Sequence, residues 1–205
     1  MSGHPLYVVV RPTPDQERER PAPERVAAQR SAARAALAVA AELADCPDRA
    51  FEKSGPRGKP LPTAAGWRWS ISHDAGLVAA VVAPGFRVGV DLERIALRRR
   101  LLVERVADPD ERAILGEGDE PLDAMGFARL WTAKEAVLKA ETIGLPGLGR
   151  CRVVGAPSSL EVDVTYGGEP RTVLHTRVDD RLVSLCAVPL DGRLSHVVWD
   201  VPSRS

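Results

Sequence analysis

Hydrophobic and polar positions follow two rhythms along this chain, and the places where one gives way to the other mark out its elements. A β-branched run from Leu6 to Arg11, stopped by Pro12 and Pro14, predicts a first strand. A polar segment rich in Arg, Glu and Pro reads as a loop to Glu24. An Ala-rich helix is predicted from about Pro23 to Leu43, since Ala, Leu, Arg and Glu are strong helix formers and Pro47 closes the segment. Three β-rich runs follow, Trp67–Ser72, Leu77–Ala83 and Arg87–Leu92, separated by HDAG and APGF turns, and they predict an antiparallel meander. After Glu93 the period becomes helical: Arg98–Val106, Pro109–Leu115 with Asp108 as N-cap, and Asp123–Ala140. Five further strands are predicted at Arg150–Val154, Leu160–Tyr166, Thr172–Val178, Leu182–Val188 and Val197–Val201, broken by Gly, Pro or Asp turns. This order predicts an α+β fold of two halves, each with a mainly antiparallel sheet packed on a long helix. The halves divide near Pro84–Arg87, into residues 1–86 and 87–205.

The helical run FARLWTAKEAVLK, Phe127 to Lys139, is interrupted by charge. Phe127, Leu130, Trp131, Val137 and Leu138 make one apolar face, with Lys134 inside it and Glu135 one turn above Trp131. Lys139 follows one turn above Glu135. Upstream, Asp91 and Glu93 in GVDLE alternate along a Val-rich strand and share a face. Strand and helix together can therefore bring three carboxylates and a lysine to one point. Each half has an ordinary alternative: an exposed Asp-x-Glu is a common solvated face, and a Glu–Lys pair at i,i+4 contributes only about 0.2–0.5 kcal/mol at a helix surface. The apolar flank VGVDLERI argues against the first, because two close carboxylates in such a setting repel unless a cation or proton intervenes. Oxygen-only ligands favour Mg²⁺ or Mn²⁺, and a Mg²⁺ site that keeps few carboxylates points to a phosphate-bearing substrate. His73 and Ser72, where a strand ends in a turn, both suit a phosphate, although a lone histidine is more often structural.

Composition narrows the field. Among 205 residues, Lys plus Arg and Asp plus Glu balance at 28 each, so no net field recruits nucleic acid or an anionic membrane. At 44% hydrophobic residues the chain can pack a core. The three cysteines, Cys46, Cys151 and Cys186, are widely spaced without a CxxC pair, and read as reduced core thiols rather than a disulfide framework or zinc site. No apolar run approaches the roughly 20 residues that span a bilayer, and the N-terminus does not read as a secretory leader, so a cytoplasmic protein is expected. Neither a GxSxG elbow nor a glycine-rich phosphate loop is present. Lys53 to Gly66 is a Pro- and Gly-rich loop in which Lys53, Arg57 and Lys59, with Arg68 just beyond, make a local basic patch.

Four segments, in order, resemble the motifs of the 4′-phosphopantetheinyl transferases: GKPLP at Gly58–Pro62, WSISHD at Trp69–Asp74, GVDLE at Gly89–Glu93 and FARLWTAKEAVLKAETIGL at Phe127–Leu145. The two-lobed Sfp-type branch is the most similar, which implies two pseudo-symmetric α+β lobes with a ligand cleft between them. Such enzymes move the phosphopantetheine arm of coenzyme A onto a serine of an apo acyl- or peptidyl-carrier protein and release adenosine 3′,5′-bisphosphate. The resemblance implies that Asp91, Glu93 and Glu135 hold Mg²⁺, that Glu135 is also the base for the carrier serine, and that Lys139 neutralises the transferring phosphate. Lys59 and Pro60 match the segment beside adenine, Ser72 and His73 match phosphate-contacting positions, and Arg30 and Ser31 match positions that read the 3′-phosphate. Lys134 is expected to steady the cleft or reach a phosphate.

Three positions depart from the family pattern: Ser70 stands where Asn is common, Asp74 where Ser is frequent, and Thr142 where Gly is usual. Arg18, Arg20 and Arg25 do not align and carry no assigned role. Arg98, Arg99 and Arg100, or apolar residues between Arg98 and Leu115, are candidates for docking an acidic carrier. Two other functions compete: a non-catalytic carrier-binding module of the same fold, and a Mg²⁺-dependent coenzyme A hydrolase. Two sheets within one chain suit a monomer.

Overall fold

Val8, Val9 and Val10 are all fully buried, so the first strand, β1 (His4–Pro12), is covered on both faces. In the computed structural model, which describes residues 3–13, 22–54, 58–74, 76–116 and 122–202, β1 lies inside a four-stranded sheet. Its partners are β3 (Leu77–Ala83), antiparallel, and the last strand, β9 (Leu194–Asp200), parallel; β2 (Arg68–Asp74) completes the sheet beside β3. Arg18, Arg20, Arg57 and the side chain of Arg25 fall outside the described residues.

Helix α1 (Ala22–Leu43) packs on one face of this sheet through Ala33, Ala36, Leu37, Ala40 and Ala41, which cluster with Val9, Val78, Ala80 and Val82. Alanines on the contact stripe let helix and sheet approach closely at little cost in side-chain entropy. The opposite face shares a buried cluster with a second sheet: Leu6, Val8, Val10 and Val81 meet Val88, Val90, Leu92, Val183 and Leu185.

That second sheet runs β4 (Phe86–Arg94), β8 (Arg181–Pro189), β7 (Glu169–Val178), β6 (Glu161–Tyr166), β5 (Cys151–Ser158), with every neighbouring pair antiparallel. Helix α4 (Ala124–Ala140), N-capped by Asp123, covers its other face, and α2 (Arg100–Val106) and α3 (Pro109–Leu115) pack at its flank. Asp108 and Glu111 form a reciprocal capping box at the start of α3, each side chain accepting from the other's backbone N–H at 3.0 Å. Mixed α+β architecture with mainly antiparallel sheets on helices is thus what the hydrophobic rhythm predicts.

Pairing differs from the expected order in two places. The meander stops at β3, whose two edges are taken by β2 and β1; β4 instead pairs with β8, placing Asp91 opposite Ser184. Both faces of β4 need cover, since Val88, Val90 and Leu92 join the inter-sheet cluster while the alternate residues lie under α4. The final strand leaves the second sheet and returns to β1, where Val197 and Trp199 pack against the same inter-sheet cluster and Arg11 pairs with Asp200 at 2.5 Å. All three cysteines are buried and free, and burial pushes the Cys151 and Cys186 thiols up to about 12. No helix among the described residues is long and apolar enough to cross a membrane.

Candidate active site

Helix α4 rests directly on β4 at Gly89. A Cβ there would lie 1.9 Å from the Ala136 carbonyl oxygen and 2.5 Å from the Ala140 nitrogen, both backbone atoms, so only glycine permits this approach. The contact brings the C-terminal turns of α4 over the next inward residue of the strand, Asp91, which is 6% exposed. Lys139 Nζ donates to Asp91 Oδ1 at 2.6 Å, to Ser72 Oγ at 3.0 Å and to the Val90 carbonyl at 3.1 Å, and the Ser72 hydroxyl donates to Asp91 Oδ1 at 2.9 Å. Strand β2, strand β4 and helix α4 therefore meet in a three-way polar junction. Ser70 extends it: its Oγ accepts from the Val90 N–H at 3.1 Å and links the facing edges of β2 and β4.

Glu135 sits one turn before Lys139 on α4. Its Oε1 is buried and lacks a hydrogen-bond partner among the described residues. Burial first, then the charges of Asp91 and Glu93, push its carboxyl above the ordinary range, with Lys139 opposing. Glu93 is raised chiefly by burial, and further by Asp74 and Asp91, against the pull of Arg98, to which it is paired at 2.5 Å. The three acids therefore feel one another's charge. Among the described residues no three such side chains converge closely enough to hold a metal as they stand, because Asp91 is turned to Lys139 and Ser72, and Glu93 to Arg98. In donor chemistry the set nonetheless suits a hard divalent cation: all ligands are oxygen, and the orphaned Glu135 oxygen is a buried acceptor with nothing to accept.

The other candidate residues occupy different surroundings. Arg30 and Ser31 are exposed on α1, and Lys53 feels the charges of both Arg30 and Lys139 after its own burial, so these cations share one surface. Lys53 also stands 6.0 Å over the Trp69 ring. Lys59 is exposed, its backbone tied to Ser54 by a 3.0 Å bond in each direction, while Pro60 helps to line a cleft of about 230 Å³ with Leu61, Arg68, Arg87, Lys139 and Thr142. His73 is exposed, on the face of β2 opposite Ser72.

Lys134 lies apart from this junction. It is 3% exposed and turned away from the acids, with Nζ donating to the Glu111 carboxylate at 2.7 Å and to the Val106 carbonyl at 2.8 Å. Glu111 in turn accepts from the Val153 N–H at 2.8 Å, so the pair fastens α2, α3, α4 and β5 rather than a ligand. An apolar helix face carries a lysine only where a partner neutralises it. The partner lies on another element, and its signal in the sequence is the D-x-x-E capping pattern of Asp108–Glu111.

Ser70, Lys53 and Thr142 gain meaning from the structure. Thr142 adopts φ of +55°, the left-handed region that favours glycine, which explains why glycine suits this turn after α4. Ser70 and Lys53 were readable in advance only as a strand position alternating with Ser72 and as one cation of a basic loop.

Comparison with known proteins bears on this arrangement. Residues 87–189, half of the chain, match the family described as the 4′-phosphopantetheinyl transferase superfamily. A holo-[acyl-carrier-protein] synthase of Moorella thermoacetica is 35% identical over 105 residues, covering 51% of this chain and 75% of that protein. Another of the same description, from Chloroflexus aurantiacus, is 37% identical over 97 residues, covering 42% of this chain and 69% of that protein.

Proposed function

This chain belongs to the 4′-phosphopantetheinyl transferase superfamily, and from that membership we propose that it transfers the phosphopantetheine arm of coenzyme A to a serine of an apo acyl- or peptidyl-carrier protein. The observation that carries the reading is the junction of Asp91, Lys139 and Ser72 with the orphaned Glu135 oxygen beside it. The carrier serine oxygen attacks the phosphorus that bears the pantetheine arm. Its bond to the bridging oxygen breaks, and adenosine 3′,5′-bisphosphate leaves with that oxygen. Glu135 takes the serine proton; a carboxyl raised above its ordinary range is a stronger base than a solvated one. Lys139 places a positive charge against phosphate oxygens whose charge spreads in the transition state.

Asp91, Glu93 and Glu135 would hold Mg²⁺ or Mn²⁺, which when bound neutralises pyrophosphate charge. Arg30, Ser31, Lys59, Pro60, Ser72 and His73 bind the coenzyme around the cleft. We also assign the chain to the two-lobed Sfp-type branch, with lobes of residues 1–86 and 87–205, β9 laid back on the first sheet, and the ligand between the lobes. Support comes from the matched region, which begins at residue 87 and leaves the segments bearing Pro60 and Ser72 to the preceding half. The acidic carrier docks beside α2, where Leu97 and Leu101 are each 79% exposed and Arg99 is exposed, Arg98 being engaged with Glu93.

Incubation with an apo-carrier, coenzyme A and Mg²⁺ should add the phosphopantetheine mass to the carrier. Glu135→Gln should slow the transfer by about 10²–10⁴-fold, the usual contribution of a positioned base. Full transfer by that variant would remove Glu135 from the reaction. A carrier that binds without gaining mass would make the chain a binding module, and consumption of coenzyme A without carrier would make it a hydrolase.

A further inference from the structure

One row of side chains crosses the second sheet beneath α4. Asp91 on β4 lies opposite Ser184 on β8, and Ser184 lies opposite His175 on β7, so all three project from one face. Around them that face is apolar, with Val162, Val164, Val173 and Val188 packed under the helix. A polar group in such a place is retained only where it is paired. Asp91 is held by Lys139 and Ser72, whereas Ser184 and His175 pair with each other and with α4.

These bonds run in one direction. Ser184 Oγ stands 2.6 Å from His175 Nδ1 and 2.6 Å from Thr132 Oγ1 on α4, and the Thr132 hydroxyl stands 2.7 Å from the Ala128 carbonyl oxygen. Each of these contacts needs a proton, and each hydroxyl owns only one. The carbonyl can only accept, so Thr132 donates to it; Ser184 then donates to Thr132, and His175 supplies the remaining proton from Nδ1. A second ring proton, on Nε2, would be a buried donor, and Nε2 has no partner among the described residues. Burial, then the charge of Arg129, pushes the imidazole down to about 3. The ring is therefore neutral, with its proton on Nδ1 and Nε2 bare.

Thr132 precedes Glu135 by three residues and is its neighbour on the helix surface. The close contact at Gly89 sets how near α4 lies to β4, but not how far the helix is rolled about its own axis. Lys134 and Lys139 tie the helix down through flexible four-carbon stems, which follow a small roll. The Thr132 hydroxyl sits on a stiff β-branched carbon, and Ser184 sits on a strand paired along both edges. We propose that Thr132 and Ser184, with His175 fixing the direction of their bond, are positioning residues that set the roll of α4 and so aim the Glu135 carboxyl at Asp91 and Glu93. The inference rests on the proposed transferase reaction, in which those acids act together.

Two substitutions separate the hydrogen bond from packing, since Thr132→Val keeps the shape and loses the hydroxyl, while Thr132→Ser keeps the hydroxyl and loses the methyl. With apo-carrier, coenzyme A and Mg²⁺, Thr132→Val should lower kcat by about tenfold to a hundredfold, the cost of a misplacement on the order of 1 Å, with KM for coenzyme A unchanged. Thr132→Ser should turn over as the wild type does. Mn²⁺ titrated alone should bind Thr132→Val more weakly than the wild type or Thr132→Ser, and Ser184→Ala should follow Thr132→Val in both measurements. Nitrogen-15 spectra should show His175 protonated at Nδ1 and bare at Nε2, the signals being assigned by their absence from His175→Gln. Wild-type kcat and Mn²⁺ affinity in Thr132→Val would overturn the proposal. So would a Thr132→Ser no better than Thr132→Val, which would reduce the site to packing, or a ring protonated at Nε2 alone, which would reverse the chain of bonds. A wild type that transfers nothing to the carrier, with the His175 tautomer as expected, would instead defeat the transferase reading, and this inference with it.

Discussion

Glu135 is held in an environment that serves a base and penalises a folded chain. Its folded-state pKa lies above the unfolded value through burial and the neighbouring acids, so its stabilising contribution is complete below the ordinary glutamate range and is lost as pH rises through the raised folded value. At neutral pH the ionised side chain therefore works against folding. In chelator, Glu135→Gln should melt at a higher temperature than the wild type at pH 7, and the difference should shrink as pH falls toward about 4. Calorimetry across that range checks it, and a lower melting temperature for the variant at pH 7 would contradict the picture. Single residues were legible in proportion to how local their partners are. The Glu135–Lys139 spacing and the Asp91–Glu93 alternation are periodicity alone; of these residues Lys139 and Asp91 meet directly, at 2.6 Å, while Glu93 turns to Arg98. Arg98 as the partner of Glu93 lies five residues along the chain, yet nothing in composition selects it over Arg99 or Arg100.

At the scale of elements, α4 is held by contact with β4 and by the Lys134–Glu111 pair, and the two fail differently. Gly89→Ala must push helix from strand, because the added carbon meets backbone that cannot rotate away. Overpacking of this kind costs about 1–3 kcal/mol, and since it separates Lys139 from Asp91 it should also abolish transfer in protein that remains folded. Normal transfer by that variant would show that the close approach of Lys139 to Asp91 is not needed for catalysis. Lys134→Met should cost about 3–5 kcal/mol by leaving Glu111 buried without its cation, while coenzyme A affinity stays unchanged below the melting transition. An affinity loss at full foldedness would return Lys134 to the ligand. The helices and strands themselves were readable almost residue by residue where caps and turns punctuate them: β3 and α3 begin and end where predicted. Pairing was not, because periodicity shows which face of β4 is apolar and not which neighbour covers its edge.

For the molecule as a whole, the chain's return to β1 matters most. Strand β9 covers an edge that would otherwise expose β1, and adds Leu194, Val197 and Trp199 to the inter-sheet cluster. Removing residues 194–205 should cost about 3–5 kcal/mol for these half-buried side chains and lower the melting temperature by about 10 °C. Light scattering should report association through the freed edge, and an unchanged melting curve would mean that β9 contributes little. The buried cysteines carry a further consequence. Burial pushes all three thiols up, to about 12 for Cys151 and Cys186, so little thiolate forms at pH 7. The proposed co-substrate ends in a thiol that oxidises readily, and a protein with an accessible thiolate would be drawn into mixed disulfides with it. With all three of its cysteines buried, this chain offers such a molecule no exposed thiol.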